Sequence, residues 1–323
     1  MSQRRDTEAY IGAILEAKLR DEEAVKLLAH IENTGPTAEQ IAGAVDAVMA
    51  RSIPFPQQLD AIDVCGTGGD YQHTYNISTA TALVVAACGV KVAKHGNKAI
   101  TSQSGSADVL EMLGVHTSLS PQKCEAVLNE VGICFLFAPA FHPGFAAIAP
   151  LRKAIGHRTI FNAIGPLCNP ARVNRQLIGV YDKKLCKPMA EAAQMLGSQS
   201  VIVVHGADGC DEVSITGPSY AYELHEGEIL ETTIEPKRAG LYPQPIESIK
   251  GGDAEENARA MIEIFNGEEN GYAQAVILNA AVALYVSGKA TALRGGAAMA
   301  QEALLSGQAL HVLRHLAEAS RRP

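Results

Sequence analysis

Apolar residues recur at helical spacing through the first fifty positions of this 323-residue chain. Ile11, Ile14 and Leu15 share one face, and so do Val25, Leu28 and Ile31 behind Asp21, which reads as a helix cap. Thr37 and Gln40 have the spacing of a capping box ahead of Ile41, Val45, Val48 and Met49. Pro54 and Pro56 mark residues 51–60 as a connector. This opening predicts a small domain made of helices only. From Ala61 the period changes. Short apolar runs at 61–64, 133–137, 176–181 and 201–205 alternate with helical stretches at 78–88, 104–113, 121–131 and 188–196. Ser120 caps the third of these helices, with Pro121 at its first position. Strands that alternate with helices need crossover connections, so a largely parallel sheet is expected. Residues 253–265, 272–286 and 290–305 then read as consecutive helices.

The densest chemistry follows the first strand. Asp63-Val64-Cys65-Gly66-Thr67-Gly68-Gly69-Asp70 runs on into Thr74-Tyr75-Asn76-Ile77-Ser78-Thr79 and a helix of small residues. Strand, glycine loop and helix start together form a phosphate site: glycine lets the backbone approach, and the unpaired amides and helix dipole attract the anion. The loop lacks the Lys of a P-loop and the spacing of a dinucleotide fold, so another phosphorylated ligand is implied. Lys94-His95-Gly96-Asn97-Lys98 and Thr101-Ser102-Gln103-Ser104-Gly105-Ser106-Ala107-Asp108 form a second anion-suited loop. A pyrophosphate needs donors from two directions, and two such loops supply them. Asp211 and Glu212 follow the 200–205 strand, at the edge where parallel sheets bind ligands. Paired carboxylates there suit Mg²⁺, which binds through one or two carboxylates plus substrate phosphates. His205 reads as a satisfied strand-end residue. Arg152 and Arg158 are either surface residues or carboxylate forks, and spacing does not decide between these.

Composition narrows the class. Hydrophobic residues make up 47% and charged residues 19%, as in a soluble globular protein. The net charge of −8 argues against a general nucleic-acid binder, but a loop's local field can still favour an anion. The seven cysteines (65, 88, 124, 134, 168, 186 and 210) are odd in number and scattered, which points to reduced thiols and a cytoplasmic location. Cys65 reads as a small buried apolar residue and not as a nucleophile. The N-terminus leads into an amphipathic helix, and no apolar run reaches membrane-spanning length.

These motifs together resemble the anthranilate phosphoribosyltransferase family. The likeness rests on Gly66-Thr67-Gly68-Gly69-Asp70, Asn76-Ile77-Ser78-Thr79, Lys94-His95-Gly96-Asn97, Ser104 to Glu111, Arg158-Thr159-Ile160-Phe161-Asn162 and Asp211-Glu212. It continues through Lys250-Gly251-Gly252-Asp253-Ala254 and Leu278-Asn279-Ala280-Ala281, covering nearly everything after about residue 60. The resemblance implies an α/β fold of the nucleoside phosphorylase/phosphoribosyltransferase kind with a mostly parallel central sheet. A small helical domain would comprise residues 1–58 with about 143–166, and the α/β domain residues 59–142 and 167–323. It implies transfer of phosphoribosyl from 5-phosphoribosyl 1-pyrophosphate to anthranilate in tryptophan biosynthesis, with Mg²⁺ as cofactor and a homodimer as the assembly.

Carried over by position, the donor would be held by Gly66, Gly69, Asp70, Thr74, Asn76, Ile77, Ser78 and Thr79. Lys94, His95, Gly96, Asn97, Lys98, Ala99, Ile100, Thr101, Ser102 and Ser106 would complete its site. Ser78, Asp211 and Glu212 would hold magnesium; Gly66, Asn97 and Arg152 would meet anthranilate, with Arg152 on its carboxylate. No catalytic acid or base is assigned, because a well-placed aromatic amine can attack without one. The chain departs from the family pattern at Tyr71, where Gly is usual, at Lys98 for Arg, at Gln103 for Lys, and across residues 141–146. The last change motivates an alternative acceptor, another small aromatic or amine. A non-catalytic nucleic-acid-binding relative is a further alternative, disfavoured by the acidic balance and the intact carboxylate pair.

Overall fold

The computed structural model describes residues 2–56, 59–99 and 103–322. Helices α1 (Gln3–Leu15), α2 (Asp21–Thr34) and α3 (Ala38–Met49) come first. The Thr37–Gln40 capping box forms: Thr37 Oγ1 accepts from Gln40 N at 3.3 Å, and Gln40 Oε1 accepts from Thr37 N at 2.9 Å. Asp21 is the first helical residue of α2 and not its cap; the cap position is Arg20, and Asp21 instead adds acidic charge to the first turn. The buried face of α2 is Ala24, Leu28 and Ile31, with Val25 only partly covered.

Strands β1 (Ile62–Gly66), β2 (Val92–Gly96), β3 (Ile133–Phe137), β4 (Arg175–Gly179), β5 (Ser200–Gly206), β6 (Ser219–His225) and β7 (Glu228–Ile234) form one sheet in the order β3-β2-β1-β4-β5-β6-β7. The first five are parallel, as the alternation of strands and helices predicts, while β6 and β7 add an antiparallel edge. That hairpin is not foreseen from the strand pattern. Its two-residue turn is Glu226-Gly227, both at positive φ (49° and 82°), which matches the right-handed twist of the flanking strands.

The remaining helices are α4 (Ile77–Ala87), α5 (Ser106–Met112), α6 (Pro121–Val131), α7 (Ala138–Phe141), α8 (Gly144–Ala147), α9 (Ala149–Ile155) and α10 (Ile160–Ala163). They are followed by α11 (Cys186–Met195), α12 (Ala254–Phe265), α13 (Gly271–Val286), α14 (Leu293–Leu305) and α15 (Gln308–Arg321). α5 starts two residues later than expected because Asp108 Oδ2 reaches back to accept from Gly105 N at 2.9 Å and Ala99 N at 2.8 Å. α15 lies beyond the helices anticipated, with Leu310, Leu313 and Leu316 buried at helical spacing.

Two cores result. One face of the sheet is covered by α4, α6 and α12 to α15. The other core joins α1 to α3 with Ile160, Phe161 and Ile164, with α11, and with Ile178, Val201 and Val203 of the sheet. Coverage on both faces explains the apolar runs of β3 and β5, while β1 and β2 carry buried Asp63, Lys94 and His95 toward the crevice end of the sheet. The chain builds β1, β2 and β3 outward in one direction, then returns to place β4 against the other side of β1. That reversal opens a crevice beyond Gly66 and Gly179, which are register partners.

Candidate active site

A cavity of about 630 Å³ occupies that crevice, at the C-terminal ends of the parallel strands. Its floor is the glycine loop. Gly68 and Gly69 turn it with φ of 66° and 76°, a conformation that side chains with a Cβ resist. The loop delivers the chain to α4, whose cap residue Asn76 makes no capping bond. Its amide is held sideways instead: Oδ1 accepts from Asn257 Nδ2 at 2.9 Å, and Nδ2 donates to Ser104 O at 3.2 Å. At the start of α4, Ile77 N donates to Tyr75 O at 2.7 Å and Ala80 N to Asn76 O at 3.1 Å, and the helix dipole points its positive end into the cavity.

Charge is concentrated beside it. Lys94 is only 2% exposed, and its ammonium donates to Val64 O at 2.7 Å and Ser78 Oγ at 3.3 Å. Below it, fully buried Asp63 accepts from His95 N at 3.2 Å and Asn169 Nδ2 at 2.8 Å. Burial pushes the Asp63 carboxyl up against the pull of the Lys94 ammonium. Asp211 and Glu212 come in from the loop after β5. Asp211 Oδ2 accepts from Gly68 N at 2.6 Å, and Glu212 Oε1 accepts from Ser78 N at 3.2 Å. Asp70 joins them, its Oδ2 accepting from Asp211 N at 3.3 Å. Burial raises both Asp211 and Glu212; the charge of Asp70 raises Asp211 further, and that of Asp211 raises Glu212.

Buried carboxylates that repel one another favour a cation, and the available donors are all oxygen. Ser78, Asp211 and Glu212 thus fit Mg²⁺ as a donor set. Among the described residues no group of three His, Cys, Asp or Glu side chains is placed to hold a metal by itself.

The far end is apolar and cationic. Arg152, on α9, places its guanidinium 5.9 Å from the ring centres of both Phe145 on α8 and Phe161 on α10. It forms no ion pair among the described residues, and burial lowers its pKa. His95 and His142 stand edge to face, 5.2 Å between centres. His95 Nδ1 lies 3.2 Å from Gly165 O and His142 Nε2 lies 2.9 Å from Cys168 O, so each of these nitrogens must donate. That leaves His95 Nε2 and His142 Nδ1 as buried acceptors without a partner among the described residues. Burial holds both rings neutral, with pKa values pushed down to about 3 and about 4.

Between the two ends, Arg158 stacks over Tyr181 at 4.1 Å and over Tyr71 at 5.0 Å, and donates to Gly69 O. Tyr71 is 62% exposed and sits at φ 60°. Lys98 pairs with Glu111 at 3.0 Å on the rim.

The cavity gathers the candidate residues of the glycine loop (Gly66, Gly69, Asp70, Thr74), of the α4 start (Asn76, Ile77, Ser78), and of the β2 end (Lys94, His95, Gly96, Asn97, Lys98, Ala99). Ser106, Arg152, Asp211 and Glu212 line it as well. Thr79 does not; it is buried behind the helix start, and its hydroxyl has no partner among the described residues. Ile100, Thr101 and Ser102 lie outside the described residues. Gln103 is exposed and away from the cavity wall. Cys65 is buried beside Asp63, and burial pushes its thiol well up, which disfavours the thiolate. His205 Nδ1 meets Val180 O at 2.8 Å, the satisfied state expected of it. The sequence marked residues 141–146 as bordering the acceptor and Phe161 as part of a family motif without giving His142, Phe145 or Phe161 an individual role, and it read Tyr181 only as the end of a strand.

Comparison with known proteins adds the following. The profile described as "Glycosyl transferase family, a/b domain" matches residues 58–310. The anthranilate phosphoribosyltransferase of Novosphingobium aromaticivorans is 45% identical over 304 residues, covering 94% of this chain and 92% of that protein. Among solved structures, the anthranilate phosphoribosyltransferase of Thermus thermophilus superposes with a TM-score of 0.93 at 37% identity, covering 99% of this chain and 96% of that one. The Saccharomyces cerevisiae enzyme in complex with PRPP and Mg gives 0.89 at 30% identity, covering 98% of this chain and 93% of that one.

Proposed function

We propose, from the premise that the chain belongs to the anthranilate phosphoribosyltransferase family, that it transfers phosphoribosyl from 5-phosphoribosyl 1-pyrophosphate to anthranilate. The products are N-(5-phosphoribosyl)anthranilate and pyrophosphate, a step of tryptophan biosynthesis. One observation carries this reading: a single cavity has a phosphate-binding loop with paired carboxylates at one end and a desolvated Arg between aromatic rings at the other.

In this reading the glycine-loop amides, the α4 start and Lys94 bind the donor's phosphates and stabilise the negative charge that develops as the C1–pyrophosphate bond breaks. Magnesium on Ser78, Asp211 and Glu212 would supply further positive charge at the leaving pyrophosphate. Arg152 pairs with the carboxylate of anthranilate, Phe145 and Phe161 cover its ring, and Asn97 and Gly66 border both substrates. His95 and His142, buried and neutral, line the wall beside the acceptor without placing a positive charge against its amine.

The test is incubation with anthranilate, 5-phosphoribosyl 1-pyrophosphate and Mg²⁺, following the loss of anthranilate fluorescence. Turnover is expected; none, in protein that still binds the donor, overturns the acceptor assignment.

We also propose that the enzyme is a cytosolic homodimer with a helical domain of residues 1–58 and about 143–166 beside an α/β domain. All seven cysteines are free thiols, and no helix among the described residues is long and apolar enough to cross a membrane. Light scattering on the purified protein tests the dimer.

A further inference from the structure

Helix α13 is buried on nearly all sides, and in its middle Asn279 is 0% exposed within Leu278-Asn279-Ala280-Ala281. A carboxamide in such surroundings destabilises the fold unless its groups are paired. All three are. Asn279 Oδ1 accepts from Val213 N at 3.0 Å, while Nδ2 donates to Val213 O at 2.9 Å and to Ala275 O at 2.9 Å.

Two of the three bonds thus go to the peptide groups of one residue, 66 positions away and next in the chain to Glu212. Val213 belongs to no strand, so the side chain of Asn279 supplies what a neighbouring strand would otherwise give. On the opposite flank, Asp211 packs directly on Gly66 and Gly179, and a Cβ at either glycine would collide with it. The carboxylate pair is therefore gripped from the sheet side by missing side chains and from the helix side by one amide.

We propose that Asn279 is a positioning residue for the Asp211–Glu212 pair: by holding both peptide groups of Val213 it sets the direction in which the two carboxylates leave the backbone toward the metal. The proposal rests on the reading of that pair as the Mg²⁺ site. Packing alone does not require it, since an apolar side chain of similar volume would fill the same space without touching the loop's polar groups.

The experiment is a Mn²⁺ titration of the full chain with 5-phosphoribosyl 1-pyrophosphate present, read by water-proton relaxation enhancement against a protein-free control. Asn279→Ala and Asn279→Ser are compared with wild type, and circular dichroism checks their folding. Both variants should bind Mn²⁺ about tenfold more weakly, the loss typical when a residue that orients metal ligands is removed. Anthranilate binding should change less than about twofold, because no substrate contact is altered. Unchanged Mn²⁺ affinity in the folded variants overturns the proposal and leaves the function standing. Failure of both variants to fold also overturns it, since Asn279 would then serve general packing. No enhancement with wild type sinks the metal reading itself.

Discussion

The two ends of the active-site cavity are built by different means. At the donor end, contiguous motifs sit where parallel strands stop, and nearly every polar group is tied to another element. Lys94 reaches Val64 and Ser78, Asn76 is held by Asn257 and Ser104, and Asp211 by Gly68. At the acceptor end, α7 to α10 are four to seven residues long and too short to be stable alone. The polar atoms there are a guanidinium over two rings, on α9, and two half-satisfied imidazoles, His95 on β2 and His142 just after α7. A pyrophosphate needs many fixed donors, whereas a small aromatic acid needs one charge, a flat apolar slot and little else.

Four measurements would sharpen that contrast. The largest effect belongs to the donor end: Glu212→Gln should lower turnover by roughly a thousandfold, as loss of a metal ligand at a charged leaving group does, and leave anthranilate binding intact. Comparable activity at saturating Mg²⁺ would remove Glu212 from the metal site. At the acceptor end Arg152→Ala should raise the KM for anthranilate about 10- to 100-fold, with the donor KM nearly constant. Steady-state kinetics in both substrates would show an equal rise in the two constants if the ends were not separable.

The third concerns pH. His95 and His142 titrate near 3 and 4 in the fold but near 6.5 when unfolded, because burial disfavours the charged rings. The unfolded chain therefore binds more protons below pH 6.5, and stability is full above that value and falls as pH drops toward 4. The loss at pH 5 is on the order of 2 kcal/mol per ring. Asp211 and Glu212, whose pKa values burial raises, add stability over the same window, so the readout is the difference between wild type and His142→Gln in thermal melts at pH 7.5 and 5. The variant should lose less or gain more on acidification, and an identical slope would clear this histidine.

The smallest effect is at the junction of the two ends. Tyr71→Gly removes one ring from Arg158 but relieves a positive φ, so stability should change by less than about 1 kcal/mol and donor KM by less than about threefold. A larger rise in donor KM would make Tyr71 part of the donor site.

The donor end was readable from the chain because phosphate is bound by backbone amides at a strand end and a helix start, and both leave local marks: Gly66, Gly68 and Gly69, then Asn76 to Thr79. The strands were readable too, since burial on both faces writes itself as short apolar runs. The β6–β7 hairpin and α15 were missed although Glu226-Gly227 and Leu310, Leu313 and Leu316 carry ordinary turn and helix signals. The acceptor wall left far less to read. Phe145, Phe161 and Tyr181 look like core aromatics in the sequence, and only packing turns them toward Arg152 and Arg158.

What the amino-acid sequence determined by itself was the alternation of elements, the glycine loop with its helix, the carboxylate pair, and hence a phosphorylated donor with a divalent cation. Tertiary structure alone decided which residues face one another across the crevice. Among the described residues it left Arg152 without a counter-charge and gave His95 and His142 one bare nitrogen each, and it joined Asn279 to Val213. The physical reason is range. A helix cap or a phosphate loop is closed by neighbours a few residues apart, whereas a desolvated charge or an orphaned acceptor exists only once distant segments have excluded water from it.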